Sequence, residues 1–445
     1  MVSTPLRRDD LGAMFQEYER SSSNFLIGAE SEKFGVHEKT GLTLGYGGEY
    51  SVCQVFSSLQ AEHGWEPIVE TEGGPIIGLK RGGASITLEP AAQLELSGEP
   101  LVDLHAIFAE NQQHLREIKE VTERLSIAWL ATGFHPLARL SELSWVPKLR
   151  YPIMREYLPQ KGAAGLDMMQ RTATVQGNFD WSSEEDAMSK LTLALKLSPL
   201  MQAWFSNAPF IEGRQSERLS ERARVWRHMD PSRSGLIESL WSKRTLRYQD
   251  YADWAISAGM FLIKREGKIV KNTGQPFADF LQHGFEGHQA TLDDWKLHLG
   301  TLFPEARLKN TLEVRAIDSL PPNLAVASLA VWTGLFYDSQ ALDEALDLVE
   351  PFTFDAVEAQ RDGLVARGLH APLLDRSGFE WAERLFEIAA GGLLRRARVN
   401  DEGRAEDIYL ESAGEILHSR TLPAERVIRR VEAGQSLIDA TRIAF

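Results

Sequence analysis

Gly28-Ala-Glu-Ser-Glu-Lys-Phe-Gly35 sets Glu30 and Glu32 two residues apart in a stretch of strand character, and side chains two apart on a strand point to the same face. Three further segments repeat the arrangement. In Ile86-Thr-Leu-Glu-Pro-Ala-Ala-Gln-Leu-Glu-Leu96, Gln93 and Glu95 share a face, and Glu89 has the same parity beyond a kink at Pro90. In Arg171-Thr-Ala-Thr-Val-Gln-Gly-Asn-Phe-Asp180 the polar row is Thr172, Thr174, Gln176, Asn178 and Asp180, while Ala173, Val175 and Phe179 face away. Leu312-Glu-Val-Arg-Ala-Ile-Asp318 sets Glu313 and Arg315 against Leu312 and Val314. A merely solvated strand face carries Lys, Thr, Ser and mixed charge. Carboxylates and carboxamides recurring on four separate strands point instead to one crowded sheet face, where acids raise one another's pKa unless cations lie between them.

Hard divalent ions held by carboxylate and amide oxygens suit such a face, and magnesium there ordinarily accompanies a nucleotide phosphate. ATP is the expected ligand. The chain has neither a GxxxxGK[ST] loop nor a GxGxxG fingerprint after a strand, so metals and basic side chains must hold the phosphates. The candidates are Lys33, Arg315 and the Arg-rich segments Arg150 to Arg155 and Arg222 to Arg233.

The 445 residues carry 63 acidic and 48 basic side chains, a formal charge of −15. That balance argues against nucleic acid bound through general charge. The single cysteine, Cys53, excludes an internal disulfide and a cysteine-built metal site, and it predicts a reducing, cytoplasmic location. The first residues, Met1 to Glu19, lack a continuous apolar stretch of the secretory kind, and the longest apolar run, Leu324 to Tyr337, is too short to span a bilayer. No membrane association is expected, and the oligomeric state is expected to be monomer or homodimer.

Apolar spacing predicts helices over Asp103 to Leu125, from Ser183 through Leu197, over Asn323 to Tyr337, Asp338 to Glu358, Gly378 to Arg398 and Leu422 to Arg430. Strands are predicted at Phe25 to Phe34, Pro75 to Leu79, Ser85 to Leu96, Ala128 to Phe134, Thr172 to Asp180, Met260 to Arg265 and Thr311 to Ala316. The expected fold is α+β: a curved, mainly antiparallel sheet with a polar ligand-binding face and helices packed on the other side. Residues 1–445 are expected to form a single catalytic domain, with 1–24 a peripheral N-terminal segment and 338–445 a mainly helical C-terminal part.

At the four acidic segments the sequence resembles the plant-type glutamate-cysteine ligases, which also occur in many proteobacteria and catalyse the first step of glutathione synthesis. The likeness runs in order over roughly residues 25 to 440. It includes Glu30-Ser-Glu-Lys-Phe-Gly35, Leu88-Glu-Pro-Ala-Ala-Gln-Leu-Glu-Leu-Ser-Gly98, Arg150-Tyr-Pro-Ile-Met-Arg155, Gly165-Leu-Asp-Met-Met169 and Arg171-Thr-Ala-Thr-Val-Gln176. Further on it includes Asn207-Ala-Pro-Phe210, Thr301-Leu-Phe-Pro-Glu305 and Leu312-Glu-Val-Arg315.

The resemblance implies the glutamine synthetase-like fold, which the guanidino kinases share, and ATP and Mg2+ as cofactors. It assigns Glu30, Glu32, Glu89, Glu95, Gln176 and Glu313 to metal, and Lys33, Gln176, Asn178 and Arg315 to nucleotide. Arg150, Tyr151, Arg155, Arg222, Trp226 and Arg233 are expected at the substrates, with Arg315, Arg150 and Lys33 in catalytic roles. The implied reaction joins glutamate to cysteine through γ-glutamyl phosphate. The alternatives are a related ligase with another acceptor amine, including an ergothioneine-pathway type, and a catalytically silent ligand-binding paralogue. Several positions depart from the family's pattern: Ser31 replaces a histidine, Ala91-Ala92 a glycine pair, and Met229 falls in a segment usually read W-x-D-T-D.

Overall fold

The computed structural model describes residues 6–48, 50–241, 243 and 245–444. Its centre is a nine-stranded sheet. The strands are β1 (Ile27–His37), β2 (Glu66–Val69), β3 (Ile76–Arg81), β4 (Ala84–Leu88), β5 (Leu94–Ser97), β6 (Ile127–Leu130), β7 (Val175–Phe179), β8 (Ala306–Leu308) and β9 (Leu312–Val314). They lie in the order β8-β9-β7-β1-β5-β4-β3-β2, with β6 paired to the C-terminal half of β1. Each of these pairings is antiparallel.

The helices that position the site are α1 (Val52–His63), α2 (Leu104–Leu125), α3 (Tyr151–Tyr157), α4 (Gly165–Arg171), α5 (Glu184–Trp204), α6 (Glu221–Arg227), α7 (Leu292–Leu299), α8 (Pro322–Phe336) and α9 (Gly378–Arg396). Helix α2 starts where Asp103 accepts a bond from the Ala106 N–H at 2.9 Å and ends at Ser126 in the left-handed region, the two terminations that leave fewest unpaired main-chain groups. Its Leu115, Ile118 and Val121 pack with Ile86, Leu88, Leu94 and Leu96 of β4 and β5 and with Val55, Phe56 and Leu59 of α1. Helix α8 covers the same side of β7 and β9. A Cβ on Gly177 would come 2.8 Å from Leu329 Cδ2, so a glycine in β7 is what lets α8 approach.

Polar and apolar parity therefore separate cleanly across β4, β5, β7 and β9, with helices on one face and the acidic rows on the other. Two edge strands, β2 and β8, are absent from the sequence expectations. Glu66–Val69 and Ala306–Leu308 are short, and Pro67 interrupts the first, so only pairing with β3 and β9 makes them strands. The expected strand at Met260 to Arg265 is shorter, Ile263–Arg265, and forms a separate hairpin with Lys268–Val270. The N-terminal segment is not peripheral. Leu11, Met14 and Phe15 are buried in the largest core cluster, and the Leu11 carbonyl accepts from the Trp295 indole N–H at 3.2 Å. Its apolar residues are local signals of burial that the short, charge-interrupted stretch masks. The same cluster reaches Leu422, joining the helical C-terminal part to the sheet.

Candidate active site

Strand register brings the acidic rows together. Glu32 of β1 stands opposite Glu95 of β5, Glu30 opposite Gln176 of β7, Glu313 of β9 opposite Asn178 of β7, and Arg307 of β8 opposite Glu313. Asn178 donates to Glu30 at 2.8 Å, the Thr174 N–H donates to Glu32 at 3.0 Å, and Thr87 of β4 donates to Glu95 at 2.6 Å. One polar strip crosses six strands.

The charge along it is uneven. Burial first, then Glu313 and Glu95, pushes the Glu30 carboxyl up to about 8. Burial and the neighbouring Glu89 and Glu95 raise Glu32 well above the usual carboxylate range. Burial opposes ionisation of Glu313 as well, but Arg307, Lys309 and Arg315 outweigh it and hold the carboxyl well below that range. The Glu313 oxygens lie 2.7 Å from Arg307, 3.1 Å from Lys309 and 2.6 Å from Arg315, whose guanidinium also reaches Gln176 at 2.5 Å. A divalent ion reaches Glu313 only by displacing one of these cations. At the Glu30, Glu32 and Glu95 end no ion pair forms among the described residues, although Lys309, Arg222 and Arg315 act from further off, and a hard cation fits there. Among the described residues no three Asp, Glu, His or Cys side chains are grouped to hold an ion by themselves. Magnesium sites of this kind draw remaining ligands from phosphate and water.

A cavity of about 280 Å³ opens over the Glu32 end of the strip. Glu32, Glu89, Thr172, Thr174 and Arg315 form its polar wall. Arg150 and Tyr151, at the start of α3, and Arg222 and Trp226, on α6, also border it. Arg222 donates to the carbonyls of Ala316 and Arg315 at 2.8 and 2.7 Å, which fixes the main chain behind Arg315 while its Nε has no partner among the described residues. Met154, Met168, Phe261, Leu262 and Phe303 make the opposite wall apolar, the combination of apolar enclosure and few polar anchors that ligand sites share.

Three expected site residues stand elsewhere. Lys33 lies on the helix side of β1, 3.2 Å from His114 of α2. The parity that puts Glu30 and Glu32 on one face puts residue 33 on the other, and burial lowers its ammonium to about 7. Arg155 points outward from α3 and stacks 5.0 Å over Trp145, in a groove on the outer side of the loop. Arg233 is fully buried, pairs with Asp230 at 2.8 Å and donates to the carbonyls of Thr301 and Gly259. Its role is to tie three segments together. His135 is likewise structural, with Nε2 3.1 Å from the Thr43 hydroxyl and Nδ1 accepting from the Ala138 N–H.

The sequence reading missed Arg307, Lys309, Lys148, and the lysines Lys264 and Lys296 at the cavity. Only Arg307 had a local signal, the alternation Ala306-Arg-Leu308, which matches the other rows.

Residues 26–441 match the model of the glutamate-cysteine ligase family 2. The chain belongs to that family. It is similar to the chloroplastic glutamate-cysteine ligase of Brassica juncea, 37% identical over 442 residues covering 98% of this chain and 84% of the relative. Its likeness to the chloroplastic enzyme of Arabidopsis thaliana is 36% over 442 residues, 98% and 82% of the two chains. Among solved structures it is similar to the Francisella tularensis glutamate-cysteine ligase in complex with AMP, with a TM-score of 0.52 at 13% identity, covering 95% of this chain and 88% of that one. That likeness concerns the fold: mixed helices and strands around a mainly antiparallel open sheet.

The expected cytoplasmic location is corrected by the same relatives, whose names place them in the chloroplast. One cysteine argues for a reducing compartment and cannot tell one such compartment from another. No helix among the described residues is long and apolar enough to cross a membrane.

Proposed function

We propose that this family member is an ATP-dependent ligase that joins the γ-carboxylate of glutamate to the amine of cysteine, the first step of glutathione synthesis, with the whole chain acting as one catalytic unit. The observation that carries the reading is the convergence of Glu30, Glu32, Glu95 and Gln176 from three strands, with Arg315 just after β9, on one sheet face beside an enclosed cavity, in a chain of this family.

Glu30, Glu32, Glu89, Glu95 and Gln176 would hold Mg2+, with Glu313 reachable after its cations shift. Held there, the ion would supply positive charge against the phosphates during the transfer. The γ-carboxylate oxygen attacks the terminal phosphorus, the bond to the bridging oxygen breaks, and ADP leaves. Arg315, held by Glu313 and Gln176, presents its remaining donors to the transferred group. Arg150 faces the substrate carboxylates, which a planar guanidinium grips with paired hydrogen bonds, while Arg222, bonded to the carbonyls of Ala316 and Arg315, positions Arg315. The cysteine amine then attacks the acyl carbon of γ-glutamyl phosphate, phosphate leaves, and the amine loses a proton. The apolar wall of Met154, Phe261 and Leu262 keeps water from the acyl phosphate. Asn178, which bonds Glu30 and Thr311, orients the strip without touching the cavity.

Phosphate release by the purified protein tests this. Release should require glutamate, cysteine and Mg2+ together, exceed that with other amines, and vanish in Glu95→Gln. Hydroxylamine should trap the acyl phosphate. No release with any glutamate-plus-amine mixture would overturn the reading in favour of a silent binding protein.

A further inference from the structure

Beside the polar strip, and among the described residues, Lys148 is a buried cation with neither an ion pair nor a hydrogen-bond acceptor. Lys148 is 6% exposed, yet among the described residues no acceptor lies within hydrogen-bond reach of its ammonium and no carboxylate within 4.0 Å. The surroundings are not short of acids, since Glu89, Glu95 and Glu70 all act on it, against the opposing effects of burial and Arg150. Lys148 borders the outer groove beside Trp145 and Pro147, and its ammonium is not among the sealed unpartnered polar atoms of the described residues. Part of its residual surface is therefore the charged end.

The position is built rather than incidental. The Val146 N–H donates to the Pro90 carbonyl at 2.9 Å, the Leu149 N–H to Glu70 at 2.6 Å, and the Tyr151 hydroxyl to the Leu88 carbonyl at 3.0 Å. Both flanks of Lys148 are thus stitched to the strand and turn that carry Glu89. The ammonium lies 5.7 Å from the Tyr151 ring centroid, which offsets only part of the cost of burying it, and a fold that fixes it beside acids without closing an ion pair holds it ready for an anionic ligand oxygen.

We propose that Lys148 binds a phosphate oxygen of ATP, from the side of the site formed by Glu89 and Glu95. The assignment rests on the ligase reading for the identity of the nucleotide. A glutamate carboxylate offers the same oxygen chemistry, so the experiment carries both ligands.

Binding of a non-hydrolysable ATP analogue with Mg2+, and of glutamate, is measured by calorimetry for wild type, Lys148→Gln and Lys148→Arg. The analogue should bind Lys148→Gln at least tenfold more weakly, Lys148→Arg should recover most of the loss, and glutamate affinity should be unchanged. In the wild-type protein, acylation of Lys148 read by mass spectrometry should be suppressed by the analogue with Mg2+ and not by glutamate. That arm stands even where the glutamine variant fails to fold. Equal nucleotide affinity in wild type and Lys148→Gln, labelling that the analogue leaves unchanged, or a loss confined to glutamate each overturns the assignment. If the analogue protects Lys148 but no glutamate-plus-amine mixture releases phosphate, the ligase reading fails and the nucleotide contact stands.

Discussion

Removing magnesium should make the protein progressively less stable as pH rises, because buried acids at the centre of the sheet then have to ionise without a counter-charge. Glu30 is displaced from an ordinary 4.5 to about 8. Between those values the folded state holds a proton that the unfolded chain has released, so stability falls with pH through this window and is untouched by this group below it. Each pKa unit is worth about 1.4 kcal/mol, which makes the cost at pH 7 about 3 kcal/mol and at most about 5 kcal/mol above pH 8, before relaxation of the half-buried side chain reduces it. With about 2.1 cal/mol/K of unfolding entropy per residue over 445 residues, each kcal/mol moves Tm by about 1 °C. Glu32 shifts in the same direction and adds to the slope. Thermal unfolding followed by circular dichroism from pH 5 to 8.5, with EDTA or with millimolar Mg2+, should show a falling Tm without metal and a magnesium gain that grows with pH. Glu30→Gln should flatten both trends. Identical pH curves for wild type and Glu30→Gln, or a magnesium gain independent of pH, would refute the premise that these acids crowd one another around a cation site.

Ala92 sits at φ +67° in the turn after Glu89, with its N–H bonded to the Glu89 carbonyl at 2.9 Å. A left-handed alanine costs about 1–2 kcal/mol against about 0.5–1 kcal/mol for glycine's extra chain entropy, so Ala92→Gly should stabilise by roughly 0.5–1 kcal/mol in denaturant titration. Glu32→Gln should lower kcat by a hundredfold or more while the protein remains folded, because one charge of the proposed metal set is lost at the reacting end. Arg155→Ala, on the outer groove, should leave kcat and the KM for every substrate within about twofold.

The departures from the family pattern separate by structural consequence. Ser31 faces the helix side of β1, away from the acids, so the change there is one of packing. At Ala91-Ala92 the turn is kept: the Ala91 N–H donates to Gln93 at 2.9 Å, and Gln93 reaches the carbonyls of Thr172 and Met169. The backbone geometry that a glycine pair would serve persists, at the cost of a strained alanine. Met229 is buried in an apolar cluster at the place of the family's threonine, while His228 stands where the first acid of that segment is usual and Asp230 keeps the second.

Alternation alone located the polar strip. Glu30 with Glu32, Gln176 with Asn178, and Glu313 with Arg315 are each fixed to one face by the period of two, which no tertiary contact can change without breaking the strand. The same arithmetic placed Lys33 behind the sheet, where charge alone had suggested a phosphate ligand. Register, and with it the pairing of Glu32 with Glu95 and Arg307 with Glu313, belongs to the tertiary structure, because strands far apart in sequence carry no local record of their offset. So do the burial of Lys148 without an ion pair and the outward turn of Arg155: a lysine or arginine reads the same in sequence whether it meets solvent, a counter-ion or a ligand, and only the packing around it decides which.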